Sequence, residues 1–214
     1  MSDSPIDVLL VEDEAIVRTG VGLWIEGQPQ FRLVGSADSA DTGEKLCLSL
    51  RPALVLLDIR FPDGDGVELG QRLRTQLPDL RVLLLSGSTD FHTVWRVRRS
   101  GVHGFVGKSD QPDVLRAAIL TVAEGGVFFS AAFQRAEQHL NQAPDSFARL
   151  LSERQIQVLH LVARGLSDAD IAARLHIATD TVEVHRKNLR MKIRVHDDRG
   201  LTHYAQRWGL ASTR

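Results

Sequence analysis

Apolar residues in the first half of the chain fall into short solid runs separated by longer, spaced patterns. Ile6–Val11 (IDVLLV), Phe31–Gly35, Leu54–Asp58, Leu80–Leu85 (LRVLLL) and Val102–Val106 are the solid runs. Runs of this length, closed by turn residues, fit strands buried on both faces. Between them, Ala15–Glu26, Ser39–Leu50, Val67–Gln76, Asp90–Ser100 and Pro112–Glu124 place their apolar residues at helical spacing. Pro112 suits the first turn of its helix. Strands and helices alternating in this way predict right-handed βαβ units and a five-stranded parallel sheet, doubly wound by helices.

The pattern changes at Gly125. Gly125 and Gly126 end a helix, VFFSAAF is a short apolar patch, Ala131–Leu140 has room for a helical turn or two, and NQAPDS is turn chemistry. Residues 126–148 therefore read as a linker between a domain at 1–125 and another at 149–214. Phe128, Phe129 and Phe133 are expected to pack on a domain rather than hold a ligand.

Beyond the linker the period is helical throughout. Ser152 and Gln155 have capping-box spacing ahead of Ile156, Val158, Leu159 and Val162, and Gly165 closes that helix. Ser167 with Asp170 opens a second helix to Leu175, and His176–Ala178 is a three-residue turn. A third helix runs from Thr179 to Ile193, and a fourth covers about Arg199–Trp208. Two helices joined by so short a turn, in a small all-α four-helix domain, read as helix-turn-helix. In the third helix Val182, Leu189 and Ile193 share an inward face. Val184, Lys187, Asn188 and Met191 lie on another, flanked by Glu183, Arg186 and Arg190.

Charge sharpens the division. The net charge of −1 splits into 14 Lys+Arg against 20 Asp+Glu over residues 1–148 (−6), and 12 against 7 over residues 149–214 (+5). An acidic front and a basic back imply different partners, and the basic part suits nucleic acid. Cys47 is the only cysteine, so no intrachain disulfide or cysteine metal cluster can form. The start MSDSPID lacks the features of a signal peptide, and no apolar run approaches the roughly 18 residues of a membrane span. A cytoplasmic protein with no membrane partner is expected.

The chemistry follows from the sheet. In a parallel sheet every strand's C-terminal end lies on one edge, where open α/β sheets keep their ligand sites. The residues at those ends are Glu12 and Asp13, Asp58, Ser86 and Lys108. One acid alone is most often a solvated loop residue. Three carboxylates, a hydroxyl and an ammonium on one edge are a site. Clustered carboxylates need a cation, and oxygen ligands without His or Cys favour Mg²⁺ or a similar hard ion. A carboxylate can attack phosphorus, and an ammonium and a hydroxyl can hold the transferred group. Gly64, Gly66 and Gly70 do not have dinucleotide-fingerprint spacing, and Asp63 and Asp65 read as turn residues.

VEDEAIVRTGV, LLDIRFPDGDG, LLLSGS and GVHGFVGKSD resemble the strand-end motifs of response-regulator receiver domains. The resemblance covers residues 5–125 and implies a flavodoxin-like strand order. It implies that Asp58 accepts phosphate from a sensor histidine kinase. Glu12, Asp13 and Asp58 would hold Mg²⁺ or Mn²⁺, with the backbone carbonyl of Arg60 as a further ligand. Ser86 and Lys108 would contact the phosphoryl group, and Ser86 and Phe105 would report phosphorylation by moving together. Arg60 and Gly87 stand at variable positions of the family: Arg60 could alter water access to the phosphate, and Gly87 leaves room for the phosphoryl group.

LSERQ, ARGLSDADIAARL and TVEVHRKNL resemble the LuxR-type helix-turn-helix of NarL/FixJ response regulators, over residues 148–213. That resemblance implies that Glu183, Val184 and Lys187 face bases, with Thr181 at the same interface, and that Arg186, Lys187 and Arg190 approach phosphates. It implies a homodimer on double-stranded promoter DNA, paired through the fourth helix with Leu201 and Tyr204, and RNA polymerase as a candidate further partner. Ala178 stands where the family has a Ser cap, so Thr179 is expected to cap instead. Asp180 and Glu183 suit the helix dipole but repel phosphate. Glu183 could accept from a cytosine amino group, or orient Arg186 or Lys187.

The expected function is a phosphorylation-controlled transcription factor, not an enzyme. A metal-dependent phosphatase using Asp58 as turnover nucleophile is the competing class. Such an enzyme usually needs a second acid near the nucleophile, and Arg60 occupies the position two residues on. An orphan regulator that is not phosphorylated in the cell is a third reading.

Overall fold

A computed structural model of the chain describes residues 4–211. They form two compact units: one from residues up to Thr89 with Arg96–Gln134, the other from Asp90–Trp95 with residues from Arg135 on. The stretch expected to link two domains is shared between them, 126–134 in the first and 135–148 in the second. Among the described residues, no helix is long and apolar enough to cross a membrane.

In chain order the first part runs β1 (Ile6–Val11), α1 (Ala15–Glu26), β2 (Phe31–Ala37), α2 (Ala40–Leu50), β3 (Leu54–Asp58), β4 (Arg60–Phe61), β5 (Gly64–Asp65), α3 (Gly66–Gln76), β6 (Arg81–Ser86), α4 (Phe91–Ser100), β7 (Gly104–Gly107), α5 (Pro112–Ala123), β8 (Phe128–Phe129) and α6 (Ala131–Gln142). The main sheet has the order β2-β1-β3-β6-β7-β8, and every pair in it is parallel. The first five strands have the expected flavodoxin-like order. All five residues of the central β3 are buried, as its unbroken apolar run requires.

The sixth strand corrects the expected count of five. β8 is two residues long, too short for any periodicity to reveal. It forms because the outer edge of β7 carries backbone groups that need partners. Phe128 N–H donates to His103 O at 3.0 Å and Ser130 N–H to Phe105 O at 3.0 Å. Gly104 makes the approach possible, since a Cβ there would stand 2.6 Å from Phe128 O.

The second unit is helical: α7 (Phe147–Leu150), α8 (Glu153–Ala163), α9 (Asp168–Leu175), α10 (Thr179–Ile193) and α11 (Asp198–Arg207). Ile156, Leu159, Ile171, Val182, Leu189 and Leu201 make its core, with Phe147 and Trp208 beside them. The Ser152–Gln155 capping box is present in both directions, and Ser167 accepts from Asp170 N–H. At α10 the outcome differs from expectation. Ala178 is itself the N-cap residue and makes no side-chain cap, while Thr179 is already the first helical residue. A hydroxyl inside the first turn sits one position too late for the N-cap role.

Candidate functional site

Strand register builds the first site. Val11 pairs with Leu57, Asp58 with Leu85, and Ser86 with Gly107. Glu12, Asp58, Ser86 and Lys108 therefore leave the sheet side by side at one edge. Lys108 N–H donates to Ser86 O at 2.7 Å, which ties the last two ends together. Behind Asp58 the chain turns sharply. Gly66 N–H donates to Ile59 O at 2.8 Å, and a Cβ on Gly66 would lie 1.8 Å from Asp58 O, so only glycine fits.

The side chains converge on Lys108. Its Nζ lies 2.8 Å from Glu12 Oε1, 2.9 Å from Glu14 Oε1 and 3.1 Å from Asp58 Oδ2. Asp58 is 5% exposed, and its other oxygen accepts from Ile59 N–H at 2.7 Å. Glu12 is fully buried; its Oε1 also accepts from Glu14 N–H at 3.1 Å, while its Oε2 has no hydrogen-bond partner. Ser86 is buried, with its hydroxyl donating to Ser88 O at 3.1 Å and accepting from Ser88 N–H at 3.2 Å. Phe105 is fully buried on β7.

Electrostatics match this crowding. Burial pushes the Asp58 carboxyl above its ordinary range, against the pull of Lys108 and the Ile59 N–H, and the charge of Asp13 adds to the push. Burial likewise raises Glu12, with Lys108 opposing and Asp58 reinforcing. Burial alone would lower Lys108, but its bonds to Glu12, Glu14 and Asp58 outweigh that and hold it above the ordinary lysine range. One ammonium thus serves more carboxylates than it can neutralise.

The second unit presents α10. Val182 and Leu189 are buried in the core, while Thr181, Glu183, Val184, Lys187 and Met191 are exposed along one side. His176, in the left-handed region at φ 53°, makes the tight turn between α9 and α10.

Comparison with known proteins decides what these two sites belong to. The response regulator receiver domain family matches residues 8–120, and the luxR family of bacterial regulatory proteins matches residues 149–205. This chain belongs to the response regulators. It is similar to the response regulator protein VraR of Staphylococcus saprophyticus, with 30% identity over 90% of this chain and 92% of that one. The transcriptional regulatory protein MctR of Rhizobium johnstonii is 31% identical over 99% of both chains. Among solved structures, RcsB of Salmonella enterica serovar Typhimurium bound to promoter rprA with the phosphomimetic BeF₃⁻ shares the fold. Its TM-score is 0.70, with 22% identity over 98% of this chain and 100% of that one. This response regulator thus joins a receiver domain to a LuxR-type DNA-binding domain.

Within the receiver, the oxygens that converge are those of Glu12, Glu14 and Asp58, all within 4.8 Å of one another. Asp13, expected as a ligand, acts on Asp58 through its charge, and its backbone oxygen accepts from Arg18 at 3.1 Å. Arg60, expected to offer its carbonyl, lies in β4, where it pairs with Asp65 of β5. Glu14 went unassigned in the sequence reading; the acid triplet Glu12-Asp13-Glu14 is the signal that could have found it. Asp63 and Asp65 do more than form a turn. Asp63 accepts from Ala40 N–H and Asp41 N–H at 3.1 and 3.0 Å, and those bonds hold its carboxyl below the usual range. Asp65 caps α3 and forms a two-pronged pair with Arg96 at 2.6 and 2.9 Å.

Within the LuxR-type domain several of the expected contact residues already have partners in their own domain. Arg186, expected near phosphates, is turned inward: its guanidinium pairs with Asp168 at 2.7 Å and with Asp198, and reaches Leu166 O at 3.3 Å. It braces the starts of α9 and α11 against α10. Arg190 is paired with Asp198 at 2.9 Å. Leu201 and Tyr204, expected to pair subunits, are buried in their own domain, and the Tyr204 hydroxyl donates to Asp145 O at 2.8 Å.

Proposed function

We propose that this response regulator is switched by phosphorylation of Asp58 and transmits the change to promoter binding by its LuxR-type domain. The observation that carries the reading is the Lys108 hub, where one ammonium meets Asp58, Glu12 and Glu14 at 2.8–3.1 Å. In the reaction an Asp58 carboxylate oxygen bonds to phosphorus of a phosphohistidine in a sensor kinase. The P–N bond breaks, and its electron pair stays on the imidazole. Lys108 and the Ser86 hydroxyl hold the phosphoryl oxygens, and the Ile59 N–H holds the other Asp58 oxygen.

The residues fit a divalent cation. Glu12 Oε2 is buried without a hydrogen-bond partner, which is costly unless something positive meets it. Glu12 and Asp58 would hold Mg²⁺ or Mn²⁺, with Asp13 and the Arg60 carbonyl as the remaining protein ligands. When bound, the ion neutralises charge on the transferring phosphoryl group. Phosphorylation draws Ser86 toward the new oxygens, and Phe105 follows.

At the output end, Thr181, Glu183, Val184 and Lys187 face the major groove of promoter DNA, with Arg190 near the backbone. The regulator acts as a homodimer in the cytoplasm, in contact with RNA polymerase, and not as an enzyme. Asp58→Asn should abolish labelling by acetyl phosphate with Mg²⁺, and retained labelling would sink the assignment. Repeated release of phosphate from simple phosphoesters would favour a phosphatase instead.

A further inference from the structure

Glu14 is the part of the Lys108 hub to which the roles above give no work. An ammonium has three protons to donate. In Lys108 all three are engaged, by Glu12, Glu14 and Asp58. The three acceptors differ in surroundings. The Glu12 side chain is 0% exposed and that of Asp58 is 6%, whereas that of Glu14 is 63% exposed. A buried carboxylate stripped of its ammonium is left uncompensated in a poor solvent. An exposed one is taken up by water at little cost. When Lys108 turns a proton toward a phosphoryl oxygen, the bond to Glu14 is therefore the one that breaks.

We propose that Glu14 is a positioning residue that tethers Lys108 in the resting receiver, and that its release accompanies phosphorylation of Asp58. The idea rests on Asp58 being the phosphoacceptor. A bond made only before the reaction stabilises the starting state alone, so it opposes the forward step and leaves the phosphorylated state untouched. Glu14 also lies at the N-cap of α1 without making a side-chain cap, so its carboxylate has no competing local duty there.

The test is labelling of the full chain with acetyl phosphate and with phosphoramidate in Mg²⁺, comparing wild type with Glu14→Ala and Glu14→Gln. Glu14→Ala should label about two- to fivefold faster than wild type, the range expected for losing one exposed ion pair. Glu14→Gln should fall between. Hydrolysis of the aspartyl phosphate should be unchanged in both, a split that loosening of the fold would not produce. The gain should be equal for the two donors; a gain that grows with donor charge overturns the tether in favour of general repulsion. Unchanged or slower labelling also overturns it. So does a loss of Mg²⁺ affinity of about tenfold or more by calorimetry, since that would make Glu14 a metal ligand. If wild type takes no label at all, the Asp58 reading fails and the tether with it. A wild type that labels while Glu14→Ala gains nothing removes the tether alone.

Discussion

The ring of Phe105 lies 5.0 Å from the ring of Phe133, and both are fully buried. Phe129 stands 4.8 Å from Phe133, and the Arg98 guanidinium lies 4.2 Å from the Phe129 centroid. The residue expected to report phosphorylation is thus packed against the segment that carries β8 and the start of α6. β8 and the start of α6 are part of the receiver's core. Truncating Phe133 to Ala should cost about 3–5 kcal/mol of unfolding free energy, measured by urea denaturation. A loss below about 1 kcal/mol would show that this aromatic stack does not hold the edge of the sheet.

How much of this could be read in advance differs from residue to residue. The five main strands announce themselves, because burial on both faces demands runs such as Val8–Val11 and Leu54–Leu57. The converging strand ends follow from parallel topology alone. The sixth strand does not announce itself, because two phenylalanines carry no period and their pairing depends on the open edge of β7. Glu14 is half hidden: the acid triplet Glu12-Asp13-Glu14 places it at the strand end, but not its contact. Nothing in its local sequence says that its side chain meets Lys108, which lies 94 positions away. Arg186 shows a third limit. Its place on a basic helix gives no hint of the first-turn acids Asp168 and Asp198 that pair with it from two other helices.

Asp58 and Glu12 should destabilise the unliganded receiver at neutral pH. Both carboxyls are raised by burial in the folded state. A raised acid binds more protons folded than unfolded between its two pKa values. Stability therefore falls as pH rises through that interval, and the full cost is present above it. Asp58→Asn removes one such charge. It should raise unfolding free energy at pH 7.5, measured by urea denaturation. The gain should shrink as pH falls toward the ordinary carboxylate range. A gain that persists unchanged at low pH would place its source elsewhere.

Divalent cations should act in the same direction. A cation that meets Glu12 and Asp58 binds the folded state and not the unfolded one. Mg²⁺ at about a hundred times its dissociation constant should stabilise wild type by about 2.7 kcal/mol, and chelation should reverse it. Asp58→Asn should lose most of this response in a thermal melt with and without Mg²⁺. An equal Mg²⁺ response in wild type and variant would move the cation away from Asp58.

Arg186 and Lys187 are neighbours in sequence with opposite expected phenotypes. The Arg186 side chain is 14% exposed and joined to Asp168 and Asp198, whereas Lys187 is exposed on α10. Breaking a partly buried ion pair leaves its acids uncompensated, so Arg186→Ala should cost about 1–3 kcal/mol of domain stability. Lys187→Ala should leave the melting curve unchanged. It should weaken promoter binding and reduce the slope of log affinity against log salt by about one, the signature of one lost phosphate contact. Binding titrations of the phosphorylated protein at several salt concentrations, paired with denaturation of both variants, separate the two roles. If Arg186→Ala melts like wild type and binds DNA with a shallower salt slope, the brace assignment is wrong and Arg186 is itself a phosphate contact.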